Sequence, residues 1–151
     1  ALQWLARPGA LPSGAMILTS LPDAVEVREV APTLEDWKVW FVEAARCIFR
    51  ALPPGGVAVF YQTDVRIAGV GQISKSYLVL RAAAEFEDVA LRWHKIAHFG
   101  AIDRPSPTSL RFSHLLCFWR RGPEPGNSSM IGGLDLGSTI GDLVTRGEKP
   151  W

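Results

Sequence analysis

Cysteine is scarce in this chain of 151 residues: Cys47 and Cys117 stand far apart in apolar surroundings, outside any CxxC or Cys/His spacing. That argues against a disulfide framework or a thiolate zinc site and for two buried thiols in a reducing, cytoplasmic setting. Charge of one sign is also missing. The net charge is +1 at pH 7, so no overall field draws the chain to a polyanion or an acidic membrane, and any such contact has to come from a local patch. No apolar run approaches the ~18–20 residues of a membrane span, and no signal-peptide core opens the sequence. An initiator Met is absent too, so a fragment of a longer protein is expected. There is no internal repeat and no G-x-S-x-G elbow, which argues against a hydrolase of that kind. The glycines of Ala68-Gly69-Val70-Gly71 do not make GxGxxG and do not directly follow a strand, so they read as a loop rather than a phosphate cradle. His94, His98 and His114 have no accompanying carboxylate, and no metal site is read from them.

What is present is an ordinary globular composition, 48% hydrophobic and 21% charged, in a chain long enough for one domain with a real core. The organising stretch is Gly14–Asp23. Met16-Ile17-Leu18 is a continuous apolar run of the kind found in strands buried on both faces, and it breaks into Thr19-Ser20-Leu21-Pro22-Asp23. In open α/β sheets, ligands bind beyond the carboxyl ends of the strands. A polar, proline-containing exit from a buried strand is therefore a candidate site.

Residues 1–14 read as a short helical lead-in closed by Pro8-Gly9, and Asp23–Pro32 as a loop or extended arm. Thr33 with Asp36 resembles a capping box, and Glu35 and Asp36 suit the positive end of a helix. Leu34, Trp37, Trp40, Phe41, Ala44, Ile48 and Phe49 form its apolar stripe, with Glu43, Arg46 and Arg50 on the wetter side. At that spacing the two tryptophans read as core rather than as a base-stacking platform. Pro53-Pro54-Gly55-Gly56 stops the helix. A second apolar run, Val57–Tyr61, turns polar at Gln62-Thr63-Asp64, repeating the pattern of the first strand. The helix between them makes a βαβ unit with parallel strands, so both polar ends fall on one edge of the sheet. A second helix, a more alternating strand at 89–97, a proline-containing loop over 98–109 and a last strand at 112–119 follow. With no helix between them, those two strands should be antiparallel.

The predicted elements are strands near 15–21, 56–63, 89–98 and 111–120 and helices near 34–51 and 74–87. The first strand should lie beside the second, and the fourth between the second and third. Trp40, Phe41, Ile48, Val59, Leu91 and Leu116 are expected to be buried, and Arg28, Glu124 and Lys149 exposed. Residues 121–151, rich in Gly, Pro and Ser, read as a linker. Lys75, Lys95, Arg104 and Arg111 gather around the ligand edge and long loop, where they are read as solvated charges with phosphate contact as the sharper alternative.

This order resembles one half of a class I S-adenosylmethionine-dependent methyltransferase, more narrowly the permuted DNA/RNA N4/N6 amino-methyltransferases, whose catalytic half comes first. Three stretches carry the resemblance. Ser20-Leu21-Pro22-Asp23 stands where that family has Asp, Asn or Ser, then Pro-Pro, then an aromatic. Ser20 and Pro22 match, while Leu21 replaces the first Pro and Asp23 the aromatic. Trp37, Trp40 and Phe41 followed by Leu52-Pro53-Pro54-Gly55-Gly56 and an apolar strand resemble the family's helix, turn and strand. Glu148-Lys149-Pro150-Trp151 resembles the Lys-Pro element that precedes the glycine-rich cofactor strand.

The resemblance implies an α/β, partial Rossmann-like sheet, mostly parallel with an antiparallel last strand. Residues 1–120 would be the catalytic half, and 121–151 would lead to a cofactor-binding half. It implies methyl transfer from S-adenosyl-L-methionine to an amino group of a nucleic-acid base (RNA or DNA) or a similar acceptor. The family chemistry needs an acceptor that orients an amine toward the methyl group and a face for a flipped base. The implied catalytic residues are Ser20, Leu21, Pro22 and Asp23. Cofactor contacts fall to Thr19, Ser20, Lys149 and Pro150, and substrate contacts to Gln62, Asp64, Lys75 and Arg111. Neither a metal nor a membrane is implied. The departures at Leu21 and Asp23 support the alternative of a degenerate, non-catalytic interaction module. If the first strand has no partner on its outer side, nothing in Ala15–Leu18 blunts that edge, and self-association with weak cofactor binding is expected.

Overall fold

The computed structural model describes residues 2–5, 7, 9–98 and 112–122. After a short helix α1 (Leu2–Leu5) come β1 (Met16–Thr19), α2 (Leu34–Ala51), β2 (Val57–Gln62), β3 (Val65–Ile67), β4 (Gly71–Ile73), α3 (Lys75–Ala83), β5 (Val89–His98) and β6 (Phe112–Arg120). The main sheet has the order β1-β2-β6-β5. β1 and β2 are parallel, and β6 is antiparallel to both β2 and β5. Three strands thus run one way and the last strand in sequence runs against them, in the predicted order.

α2 begins as its sequence requires. The Thr33 side chain accepts from the Asp36 backbone N–H while Asp36 accepts from the Thr33 backbone, a complete capping box. Its wet face carries Glu43 paired with Arg46 and Arg50, and Arg46 also reaches Glu85. Gly55, at φ 78°, takes the left-handed turn after the two prolines. The Arg120 guanidinium donates to the Arg50 and Leu52 carbonyls, covering the negative end of the helix from the far end of β6.

The dry face of α2 and one face of the sheet enclose the main core. Phe49 stacks against Phe60, Phe86 and Phe118 with ring centroids 5.0–5.7 Å apart. On the opposite face Val57, Val59 and Cys117 are buried, with Trp93 and Trp119 packed against them.

Several expectations are corrected. β1 is not buried on both faces: Ile17 packs on the main core, but Met16 and Leu18 are exposed, Leu18 at 59%. In register with Val57 and Val59, they lie on the face away from the helices. Trp37 is the fully buried tryptophan of α2, and Trp40 is only half-buried. Leu91 is exposed because a bulge between Leu91 and Trp93 sets it in register with Phe118 on the helical face. On edge strand β5 that face is open, and Ile96 is exposed beside it. Phe41, Ile48, Val59 and Leu116 are buried and Arg28 is exposed, as expected. The stretch read as a loop at 67–72 is a β3–β4 hairpin, turning through Gly69 at φ 76°. Asp23–Pro32 is a run of turns rather than an extended arm. Glu124, the loop at 99–111 and the linker from 123 onward lie outside the described residues.

Candidate functional site

The parallel pairing of β1 and β2 brings two polar strand exits to one edge, Thr19–Asp23 and Gln62–Asp64. Ser20 is exposed and Thr19 half-exposed. The Leu21 side chain is buried in the main core, so it contributes its backbone rather than its side chain to the edge. The Trp37 indole N–H donates to the Pro22 carbonyl at 3.2 Å, tying the strand exit to α2. Asp23 closes the turn by donating its own N–H to Glu26 at 2.6 Å.

Lys75, the first residue of α3, joins these pieces. Its ammonium donates to the Leu21 carbonyl at 2.8 Å and to Asp23 Oδ1 at 2.7 Å, 5.7 Å above the Phe41 ring centroid. Its backbone N–H donates to Asp64 Oδ1 at 2.9 Å. Asp64 Oδ2 accepts from the Gln72 amide at 3.1 Å, so the carboxylate at the end of β2 holds both the β3–β4 hairpin and the start of α3. A single buried lysine therefore links the ends of the first two strands.

A groove of about 680 Å³ opens against this cluster. Asp23, Arg28 and Thr33 form one wall and Asp64, Val65 and Arg66 the other. The far side of Asp64 meets a histidine pair. His114 Nε2 stands 3.7 Å from Asp64 Oδ2, and His114 Nδ1 shares a hydrogen bond of 2.9 Å with His94 Nε2 on the neighbouring strand. Partial burial, with the adjacent His114 ring, holds His94 below the usual histidine range. Gln62 is fully buried at the end of β2, and its amide nitrogen and oxygen have no hydrogen-bond partner among the described residues.

The structure thus brings together Thr19, Ser20, Leu21, Pro22, Asp23, Gln62, Asp64 and Lys75 from the sequence-derived set. Lys75 is a correction in one respect: it is buried and ion-paired rather than a solvated charge. Arg104, Arg111, Lys149 and Pro150 lie outside the described residues. Sequence reasoning missed Gln72, the Trp37 link to Pro22 and the His94–His114 pair. The last had a signal, since an antiparallel pairing of 89–98 with 112–120 sets those two rings on neighbouring strands. Among the described residues, no group of three or more His, Cys, Asp or Glu side chains is arranged to hold a metal ion. No helix among them is long and apolar enough to cross a membrane.

Comparison with solved structures places this geometry in a known architecture. A Thermus thermophilus protein assigned as a DNA modification methylase, complexed with S-adenosyl-L-methionine, matches with a TM-score of 0.58 at 16% identity, over 85% of this chain and 54% of that one. The fold is similar to that of this methylase. The selenomethionine derivative of the same Thermus protein gives 0.57 at 16% identity over 85% and 53% of the two chains, and a third structure of it gives 0.53 at 16% over 86% and 55%. The chain therefore spans about half the length of the structures it matches. No protein-family model and no curated protein matches the chain.

Proposed function

We propose that this chain is the amine-handling half of an S-adenosyl-L-methionine-dependent methyltransferase acting on an amino group of a nucleic-acid base or a similar planar acceptor. Residues 1–120 form that half, and 121–151 lead toward the cofactor-binding half. The observation that carries the reading is the meeting of Asp23, which closes the Ser20–Asp23 turn, and Asp64 on one groove at the carboxyl edge of β1 and β2, in a fold similar to that of a methylase crystallised with S-adenosyl-L-methionine.

The residues at this edge fit the task. Methyl transfer to nitrogen depends on in-line placement more than on strong acid–base help, and a hydroxyl, two carbonyls and a carboxylate are a set of acceptors for N–H groups. Ser20 and the Leu21–Pro22 backbone hold the amine, Asp23 orients it and receives its proton late, and Asp64 lines the pocket, with Gln62 buried at the end of the same strand. The exposed Ser20 hydroxyl and the half-exposed Thr19 hydroxyl fit a polar cofactor at the end of β1, with Lys149 and Pro150 as the further contacts. When bound, S-adenosyl-L-methionine supplies an electrophilic methyl group on a sulfonium. Arg28 and Arg66, which share the groove walls with Asp23 and Asp64, offer cationic contacts for the phosphates of a nucleic-acid acceptor.

One observation favours a second reading, a degenerate module that binds without catalysis: protein donors already sit on the Leu21 and Pro22 carbonyls and on Asp23. Transfer of radiolabelled methyl groups by the full-length protein to DNA and to total RNA decides between them, alongside Ser20→Ala and Asp23→Ala. Activity lost in both variants is the expected result, equal activity in all three proteins removes the site assignment, and no transfer in any favours the module.

A further inference from the structure

Lys75 bonds to both strand exits with its own atoms, through its side chain to Leu21 and Asp23 and through its backbone to Asp64. An ammonium has three N–H donors and no acceptor. A lysine kept out of water therefore needs its partners in a defined arrangement, or it loses the hydration it gave up. Leu21 and Asp23 supply that arrangement from β1.

The contact is also economical in what it occupies. A carbonyl oxygen has two lone pairs and a carboxylate two oxygens, and Lys75 takes one position on each. That leaves a second lone pair on the Leu21 carbonyl and a second oxygen on Asp23, whose side chain is 43% exposed and lines the groove. An ammonium 2.7–2.8 Å away fixes the direction in which both present themselves. Asp64 completes the frame: its bond to the Lys75 N–H sets the start of α3 against the end of β2, so the lysine stem leaves from a fixed point.

We propose that Lys75 is a positioning residue that holds the Leu21 carbonyl and the Asp23 carboxylate in the orientation that receives the acceptor's N–H groups. This rests on the methyltransferase reading for its functional consequence, but the positioning itself is measurable without turnover. Two readouts are needed. The first is amide hydrogen exchange over residues 20–24 in wild type, Lys75→Met and Lys75→Ala. Exchange should rise there in both variants and leave the middle of α2 unchanged. n-Propylammonium, which replaces the stem and charge missing from Lys75→Ala, should slow it again. n-Propanol, of the same size without the charge, should not.

The second readout is methyl-transfer kinetics of the full-length protein. Loss of alignment by about an ångström lowers turnover by roughly 10²-fold, so Lys75→Met should lose that factor mainly in kcat, with n-propylammonium restoring part of it to Lys75→Ala. If Lys75→Met does not fold, Lys75→Ala with and without n-propylammonium makes the same comparison. Local opening reversed by the ammonium, with no methyl transfer even in wild type, means that the methyltransferase reading fails while the positioning role stands. Unchanged exchange at 20–24, full kcat in Lys75→Met, or equal rescue by n-propanol each overturns the proposal.

Discussion

Trp37 allows a sharp test because its neighbour of the same type, Trp40, occupies the same helix with a different environment. Trp37 is fully buried, sits edge-on to Phe41 at 5.5 Å and donates its indole N–H to Pro22. Removing a large aromatic side chain from a core costs about 3–5 kcal/mol, and the hydrogen bond contributes about 1 kcal/mol. Trp37→Ala therefore sits near the upper end of that range, close to the whole stability of a marginal domain at about 5–15 kcal/mol. Trp40 is half-buried, so Trp40→Ala should cost roughly half as much by area removed from water. Trp37→Phe keeps an aromatic ring while leaving the Pro22 carbonyl without its donor and a small void, and should cost about 1–2 kcal/mol. Urea titration of all three variants, with midpoints compared at equal slope, reads these differences directly. A loss below about 1 kcal/mol for Trp37→Ala, or a loss in Trp40→Ala as large as in Trp37→Ala, would show that the assignment of the core is wrong.

Two further outcomes are expected. Thr33→Ala removes the side-chain half of the capping box and should cost about 1 kcal/mol in the same titration; no change would mean that the helix start is held from elsewhere. His94 has a folded-state pKa below its ordinary value of 6.5, so the unfolded chain takes up that proton first as pH falls. Its contribution is neutral above the unfolded value and erodes stability on acidification below it. Its titratable neighbour is His114, which in turn faces Asp64. Replacing His94 by Gln should flatten the fall of Tm between about pH 7 and 5, and an unchanged slope in a pH series of thermal melts would refute the assignment.

Local grammar carried most of the fold. The capping box at Thr33, the 3.6-residue stripe through Phe49 and the Pro-Pro-Gly-Gly stop are short-range signals, and α2 obeys all of them. β2 was legible because a strand buried on both faces is apolar throughout. The sequence between residues 98 and 112 carries no helical pattern, which was enough to expect β5 and β6 antiparallel, as they are. What escaped depends on partners distant in sequence. Met16-Ile17-Leu18 has the composition of a central strand, yet its exposure depends on what lies beside and above it. Leu91 faces an uncovered side because of a bulge that nothing in Ala90-Leu91-Arg92 announces. Three-residue strands around Gly69 are too short for a periodicity to show. At the site, both polar strand ends were readable, but the burial of Lys75 was not. Its partners Leu21 and Asp23 are more than fifty residues earlier, and an isolated lysine after a serine reads as a surface charge at the start of a helix.

The place of β6 in the sheet also shapes how the chain acquires its structure. β1, α2 and β2 are contiguous in the chain, so they emerge first and pair locally. β2 then waits with one side open, because its second neighbour pairs Val57 with Trp119 and Gln62 with His114. β5 waits as well, since its only partner in the main sheet among the described residues is the same strand. Closing loops of that length is slow relative to local helix formation, and open strand edges are where partly made chains associate wrongly. The order of emergence from the ribosome therefore leaves two unpaired edges flanking a gap of one strand's width, and both are sealed in a single step when residues 112–120 arrive. A chain interrupted before that point lacks two of the three ladders of its main sheet at once, so its misfolding should be all-or-none in synthesis length rather than graded.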